Sequence, residues 1–531
     1  MRPRPVGPRV NLADLLRDGS VAHPSKAVLI FRGRPISFGE LDQRVDRTAA
    51  ALVGLGVVKG DRVALLAGNV PEFVSCLYAA LRAGAVACPL NVMLTPEEMG
   101  YILADAGAKV AITEMDSLTG LLSIRDRLAD LQAIVVIGGP PAPRGTISLE
   151  EAVAIEREPP SMTQVALSDP AVIAYTGGTT AAPKGALLTH GNLLANLDQM
   201  ASVQRLAMRP DDVMLLALPL FHMYALNVIL GLTIKAGATA VLAERFDPEE
   251  SLELVQRHGI TVSFGAPPMF AAWVAAGGEG SGSDGLTGPD LSSVRLAVSG
   301  AAPLRPETLE AFRKRFGITI WEGYGLTECG PAVTTNAVGP VAKPGSIGLA
   351  LPGVEIRLVD QVGQDVEEDD TGEILVRGPN VFEGYWGRPD ETARVLIQGG
   401  WLRTGDVAYR DEDGYLFVVD RKKDLIMVSG FNVFPKEVEE AIESHPGVEE
   451  AAVVGIPDEG TGEAVQAWVV PKPGHALTPE EILDFLQGYL ARFKQPKEVR
   501  VVDALPHHVT GKVLRRALRG EEILGTGEPS G

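Results

Sequence analysis

Residues 175–185 read Tyr-Thr-Gly-Gly-Thr-Thr-Ala-Ala-Pro-Lys-Gly, a short stretch that gathers glycines, hydroxyl side chains and one lysine. Gly177 and Gly178 let backbone amides converge on an anion, Thr176, Thr179 and Thr180 add hydroxyl donors, and Lys184 supplies a mobile positive charge. The ligand that suits such a set is a polyphosphate. The stretch is not the familiar nucleoside-triphosphatase loop, which needs glycine before the lysine and serine or threonine after it. Here Pro183 precedes Lys184 and Gly185 follows it, so another loop geometry and another chemistry are expected.

Further segments offer groups suited to a nucleotide. Residues 299–304, Ser-Gly-Ala-Ala-Pro-Leu, present Gly300, Ala301 and Ala302, small enough for a flat adenine to approach the backbone. Residues 321–328 carry the ring of Tyr324, the close-approach glycines Gly323 and Gly325, the Thr327 hydroxyl and the Glu328 carboxylate. Asp406, in residues 400–406, can chelate ribose hydroxyls, and Arg421 is a second ribose or phosphate contact. Lys512 stands near the far end, shortly after His507 and His508, which read as solvated turn residues or phosphate contacts.

These groups need a scaffold. A chain of 531 residues, 46% apolar and 22% charged, is globular and long enough for two to four domains or subdomains. Its formal charge of −20 opposes nonspecific binding to nucleic acid. Three cysteines, Cys76, Cys88 and Cys329, make no disulfide framework. No apolar run reaches bilayer length and no secretory leader is evident, so a soluble, cytoplasmic protein is expected.

Residues 9–60 carry helical patterns broken by Pro24 and Pro35, with Ser37 and Glu40 at capping-box spacing. Strands are expected at 61–66, 134–137, 170–174, 213–217, 239–242, 261–264 and 294–298, and helices at 71–81 and from Thr189. The polar stretch 175–185 then sits at a strand end, where open α/β sheets place ligands. The glycine-serine tract 277–288 and the acidic run 367–370 read as surface loops. Short alternating strands follow at 354–359, 373–377 and 414–419, and residues 420–424 form a candidate hinge. Beyond it, a helix at 435–444, strands at 450–455 and 464–470, and a helix at 479–490 outline a small α+β domain.

Taken in order, these motifs resemble the adenylate-forming family of acyl-CoA synthetases, aryl-CoA ligases, luciferases and peptide-synthetase adenylation domains, from about residue 10 to about residue 520. The resemblance implies an α/β fold: a large multi-layer N-terminal domain with a β-rich subdomain, plus a small mobile α+β C-terminal domain. The boundaries expected are 1–420, with α/β subdomains over about 10–340 and the β-rich part over about 345–420, and a lid at 421–531. It also implies formation of an acyl-adenylate from a carboxylic acid and ATP with magnesium, followed by transfer to a thiol. In that scheme residues 176–184 bind phosphates, Tyr324 lies against adenine, Thr327 and Glu328 organise phosphate and metal, and Asp406 and Arg421 hold ribose. Lys512 is the adenylation lysine, Lys423 the pivot, and Ser429, Gly430, Phe431 and Asn432 border the thiol path. The chain departs from the family pattern at Ala181, where glycine is common.

His222 stands where amino-acid-activating relatives carry aspartate, which turns the reading away from an α-amino acid. His222, Tyr224, Ala225, Gly300, Gly323 and Gly325 are the expected acyl pocket, the glycines leaving room for an alkyl chain or an aromatic ring. His222 is also expected to influence the thiol path. A medium- or long-chain fatty acid is the preferred substrate, with an aryl acid as the alternative. CoA is the preferred acceptor, with a carrier protein second, and a second copy of the chain is a further expected partner. A luciferase-like oxygenase and a catalytically weak nucleotide-binding scaffold are the remaining readings.

Overall fold

The computed structural model describes residues 10–139, 142–155, 163–176, 183–276, 289–360, 362–367, 370–421, 424, 426–428, 431–458, 462–487, 489–490, 492–507 and 513–520. Two compact units emerge, Met1–Glu355 with Arg377–Gly400, and Ile356–Val376 with Trp401–Gly531. The boundary expected after residue 420 falls inside the second unit.

The first unit holds two sheets. One, of eight strands, runs Gly384–Tyr385, Lys184–Thr189, Pro170–Thr176, Val86–Pro89, Arg62–Leu66, Ala108–Glu114, Ala133–Ile137, Ile147–Ser148. Its inner strands pair in parallel and read as short apolar runs, as expected of strands covered by helices. Ile102 and Leu103 of helix Pro96–Ala106 and Leu118 and Leu121 of helix Met115–Ile124 bury against Leu66, Ile134 and Ile173. At one end the ladder turns antiparallel: Pro170–Thr176 pairs with Lys184–Thr189, and Gly384–Tyr385 adds to that edge.

The other sheet has nine strands, in the order Leu349–Ala350, Ala332–Thr335, Ile320–Gly325, Leu296–Ser299, Val262–Gly265, Val213–Leu216, Thr239–Leu242, Ala27–Phe31, Arg34–Ser37. Parallel pairing runs from Ile320–Gly325 to Ala27–Phe31. Phe270 meets Phe312 and Trp273 edge to face at 5.4 and 5.9 Å over this sheet. The carboxyl ends of its parallel strands lead into the segments that begin at Gly300 and Gly265, as the ligand-end rule anticipates.

Several local readings differ from expectation. The stretch around Pro35 is an edge strand, not a break between helices, because an edge position tolerates a residue without an amide donor. Ser37 caps helix Phe38–Gly54 by accepting from the Glu40 amide, but the Glu40 carboxylate turns to Arg44 at 2.6 Å, so half of the box forms. Complete boxes form at Thr95 with Glu98 and at Thr189 with Asn192. The loop after Pro219 winds into a π-helix, Tyr224–Gly231. The tract 277–288 lies outside the described residues.

In the second unit, Gly372–Arg377, Trp401–Arg410 and Leu416–Arg421 pair antiparallel. A further sheet runs Phe431–Val433, Ile426–Val428, Gly462–Pro471, Val448–Asp458, with Glu498–Val501 parallel to Gly462–Pro471. Helices Pro435–Glu443 and Pro479–Leu486 bury Val438, Ile442, Ile482 and Leu486 against it. Among the described residues no helix is long and apolar enough to cross a membrane.

Candidate active site

The polar stretch opens and closes on paired strands. Thr176 and Lys184 are register partners, and the Thr176 hydroxyl donates to the Lys184 carbonyl at 3.4 Å. Gly185 has a steric reason: a Cβ there would come within 2.5 Å of Ile173 and 3.1 Å of the Tyr175 ring. The Tyr175 hydroxyl donates to Asp105 at 2.8 Å, and Arg388 donates to the same carboxylate at 2.7 Å. Both mouths of the stretch are therefore anchored. Gly177, Gly178, Thr179, Thr180 and Ala181 lie outside the described residues.

Lys184 projects toward the segment that follows strand Gly384–Tyr385. Its Nζ donates to Glu391 at 2.6 Å and stands 5.1 Å from the centre of the Tyr385 ring. The Tyr385 hydroxyl donates to Glu328 Oε1 at 2.8 Å. Burial, with the Glu328 charge beside it, pushes the Tyr385 phenol above its ordinary range, so it stays a neutral donor. Lys184 and Glu328, far apart in sequence, thus share one cluster with Tyr385 and Glu391. Sequence reasoning missed the last two, whose faint signal is the Gly-Tyr-Trp-Gly-Arg-Pro run at 384–389.

The turn carrying Thr327 and Glu328 is held by amides. Asn380 donates to the Cys329 carbonyl at 2.8 Å, and Asn227 of the π-helix donates to the Gly330 carbonyl at 2.7 Å. Asn196 donates to the Ala332 carbonyl at 2.8 Å, and Asn192 reaches the Pro379 and Val381 carbonyls. All four asparagines are buried. The π-helix thereby fixes Tyr224 and Ala225 relative to this turn.

The Tyr224 side chain is half-buried, 6.2 Å edge-on from Phe264, and its buried hydroxyl meets no hydrogen-bond partner among the described residues. A Cβ on Gly300 would sit 3.2 Å from that hydroxyl. Ala301 follows in a left-handed conformation, φ 72°, that non-glycine residues seldom adopt. A Cβ on Gly323 would meet the Thr334 carbonyl at 3.1 Å, and one on Gly325 the Pro331 carbonyl at 2.0 Å. The missing side chains of these glycines admit neighbouring backbone at Gly323 and Gly325, and the Tyr224 ring at Gly300. The His222 ring lies 4.7 Å from that of Phe221, tilted by 56°, just before the π-helix.

Residues 16–386 match the model of the AMP-binding enzymes, and residues 437–512 that of the AMP-binding enzyme C-terminal domain. The chain belongs to the AMP-binding enzymes. A long-chain-fatty-acid–CoA ligase of Yersinia pestis is 37% identical over 97% of this chain and 94% of its own. A feruloyl-CoA synthase of Amycolatopsis is 39% identical over 92% of this chain and 94% of its own. ATP-bound MatB from Rhodopseudomonas palustris superposes with a TM-score of 0.86 at 35% identity, covering 96% of this chain and 98% of that one. These relatives lie in the acyl-CoA synthetase branch of the adenylate-forming enzymes, whose CoA ligases use ATP, magnesium and CoA.

In this AMP-binding enzyme, the second unit brings together the two residues expected at ribose. Asp406 and Arg421 are register partners on antiparallel strands, and Asp406 is buried with its amide on the Thr404 hydroxyl at 3.1 Å. His507 Nε2 lies 2.8 Å from Glu450 Oε1, a carboxylate oxygen that accepts its hydrogen bond. Lys423, Ser429, Gly430, His508 and Lys512 lie outside the described residues, and Phe431 and Asn432 fall on strand Phe431–Val433. Among the described residues no three acidic, histidine or cysteine side chains cluster as a metal cage. One carboxylate, Glu328, fits a magnesium ion that keeps water and phosphate oxygens as its other ligands.

Proposed function

We propose that this enzyme activates a medium- or long-chain fatty acid with ATP, releasing pyrophosphate, and passes the acyl group to CoA, releasing AMP. The observation that carries the reading is the joining of Lys184 and Glu328 through Tyr385. A cation for phosphate oxygens and a carboxylate for a phosphate-bound metal stand in one cluster, in a chain whose relatives include a long-chain-fatty-acid–CoA ligase.

The roles follow from charge. The substrate carboxylate attacks an α-phosphorus that is already surrounded by negative oxygens, so cations must offset the approach. Lys512 is proposed to do this at the reacting oxygens, and Thr176, Lys184 and Thr327 at the phosphates, with residues 177–180 contributing donors. Magnesium, when bound, neutralises charge on the departing pyrophosphate. Tyr324, with Gly300, Ala301, Ala302 and Gly325, receives adenine, and Asp406 and Arg421 receive ribose. In the second step a thiol attacks the adenylate carbonyl and AMP leaves. A C-terminal lid pivoting at Lys423 is proposed to withdraw Lys512 and bring residues 429–432 to the thiol path. His222, Tyr224 and Ala225 border the acyl group. A cytoplasmic setting, free CoA as acceptor in preference to a carrier protein, and association with a second copy complete the proposal.

One observation favours an aryl acid as the second reading. The buried Tyr224 hydroxyl has no partner among the described residues, and such a group is costly against an alkyl chain but satisfied by a polar ring substituent. Incubation with ATP, magnesium, CoA and a panel of fatty and aryl acids, followed by mass spectrometry, decides between them. Acid-dependent AMP with one fatty acyl-CoA supports the first reading, and an aryl-CoA the second. Acyl-adenylate without acyl-CoA redirects the search to a carrier protein, and no acid-dependent product from any acid refutes both. Lys512→Ala should abolish adenylation yet leave thiolysis of supplied acyl-adenylate measurable, and equal loss in both assays would remove Lys512 from its role.

A further inference from the structure

Lys184 has an anionic partner inside its own chain. Glu391 Oε2 accepts from the Lys184 ammonium at 2.6 Å, while Glu391 Oε1 accepts from Arg394 at 2.7 Å. The Lys184 and Glu391 side chains are about a quarter and a third exposed, 24% and 30%, so a solute can reach the pair. Behind the ammonium lies the Tyr385 ring, 5.1 Å away, which limits the directions left for a second oxygen. The Lys184 hydrogen bond holds the Glu391 carboxyl below the usual range, so it is ionised at neutral pH.

A polyphosphate arriving at Lys184 therefore meets a carboxylate at hydrogen-bond distance from the cation it needs. Either the ammonium exchanges partners, or it bridges two anions that repel each other; both outcomes oppose binding. Arg394 lowers the opposition, because it stays with Glu391 when the lysine leaves. AMP carries no phosphate beyond the first, so the opposition falls on ATP and pyrophosphate and not on the product nucleotide.

We infer that Glu391 is an internal counterion that stands in for the outer phosphates at Lys184 and reclaims the lysine as pyrophosphate departs. Glu391 is thus a positioning residue, acting through Lys184, and its role rests on the reading that Lys184 meets those phosphates. In the resting chain it keeps the lysine in place and its charge compensated. After adenylation it competes with pyrophosphate and disfavours the reverse reaction.

Titration calorimetry of the full chain, with no carboxylic acid present so that no turnover occurs, tests this with magnesium-ATP, magnesium-pyrophosphate and AMP. Partly exposed ion pairs set the scale, so Glu391→Gln should bind ATP and pyrophosphate about two- to fivefold tighter. AMP affinity should not change. Arg394→Ala, which leaves Glu391 wholly to Lys184, should move ATP and pyrophosphate the opposite way. A merely structural ion pair would instead weaken all three ligands in Glu391→Gln, and that result overturns the inference. So does unchanged or weaker ATP binding in Glu391→Gln while Lys184→Ala weakens ATP. If Lys184→Ala leaves ATP and pyrophosphate binding intact, the phosphate reading of Lys184 fails, and the inference with it.

Discussion

At the end of strand Lys184–Thr189 the chain enters helix His190–Ser202, and the first residue of that helix is a fully buried histidine. His190 Nδ1 accepts the Leu12 amide at 3.1 Å, a hydrogen bond that requires an unprotonated nitrogen. Burial pushes its pKa down from 6.5 to about 4, despite the nearby Asp169. Because the folded value lies below the unfolded one, the unfolded chain takes up the proton first. Stability from this group is complete above pH 6.5, falls as pH drops through the window to about 4, and falls no further below it. The gap between 6.5 and about 4, at about 1.4 kcal/mol per pH step, amounts to about 3 kcal/mol. His190→Asn keeps an acceptor for the Leu12 amide and has no group that titrates here. Its smaller volume lowers stability by an amount that does not depend on pH. Thermal unfolding of both proteins from pH 7 to pH 4 should therefore show a difference in midpoint that narrows by several degrees as the wild type loses its advantage. Carboxylates titrate alike in both and cancel. A difference that stays constant across the window would refute the assignment of a buried neutral imidazole.

Three other outcomes are expected. Gly300→Ala places a methyl 3.2 Å from the Tyr224 hydroxyl, so the ring must shift by a few tenths of an ångström. Steady-state kinetics should show an altered acid preference and a changed acid KM. Tyr385→Phe removes the 2.8 Å hydrogen bond to Glu328, a bond to a charged acceptor of a type worth about 1.5–3 kcal/mol. Some of that loss should appear as a raised magnesium requirement and a fall of about three- to thirtyfold in kcat/KM for ATP, measured by pyrophosphate release. Ala301→Gly relieves a left-handed alanine at φ 72° and should stabilise the chain by about 0.5–1 kcal/mol, less the entropy of the added glycine, in denaturant unfolding.

The strands at the centres of both sheets were legible because burial on two faces demands apolar runs, as at Arg62–Leu66, Thr239–Leu242 and Val262–Gly265. Thr189 was legible as the start of a helix for a similarly local reason. Strand Lys184–Thr189 escaped because it opens on a lysine and a glycine and owes its conformation to pairing with Pro170–Thr176. Strand Arg34–Ser37 escaped because proline reads as a break unless the strand is known to lie at an edge. The π-helix at Tyr224–Gly231 has no periodicity of its own to announce it, and such turns gather at functional sites for reasons of tertiary packing. Glycine types were easy to see and their purpose was not: Gly325 is required by a carbonyl six residues onward, at Pro331. Glu391 lies 207 residues from Lys184, and nothing local to either marks the other.

The same distance problem explains why asparagine recurs beneath the candidate site. Cys329, Gly330, Ala332, Pro379 and Val381 turn carbonyls into the interior where their hydrogen bonds come from side-chain amides of other segments. A lysine or arginine could reach them, but a buried charge would have to be desolvated, at a cost far above that of a neutral amide. An amide NH2 brings two donors on a neutral, compact group, and Asn192 uses both on the Pro379 and Val381 carbonyls. Removing the Asn227 or Asn380 amide leaves the Gly330 or Cys329 carbonyl without that partner, at about 1–3 kcal/mol each. The penalty falls on the turn that carries Thr327 and Glu328, because that turn has few ladder bonds of its own. Rigidity under Glu328 therefore comes from buried amides, while the partner exchange inferred at Lys184 needs movement only in two partly exposed side chains. A fixed carboxylate beside a lysine able to change partners is the division of labour that a site releasing pyrophosphate requires.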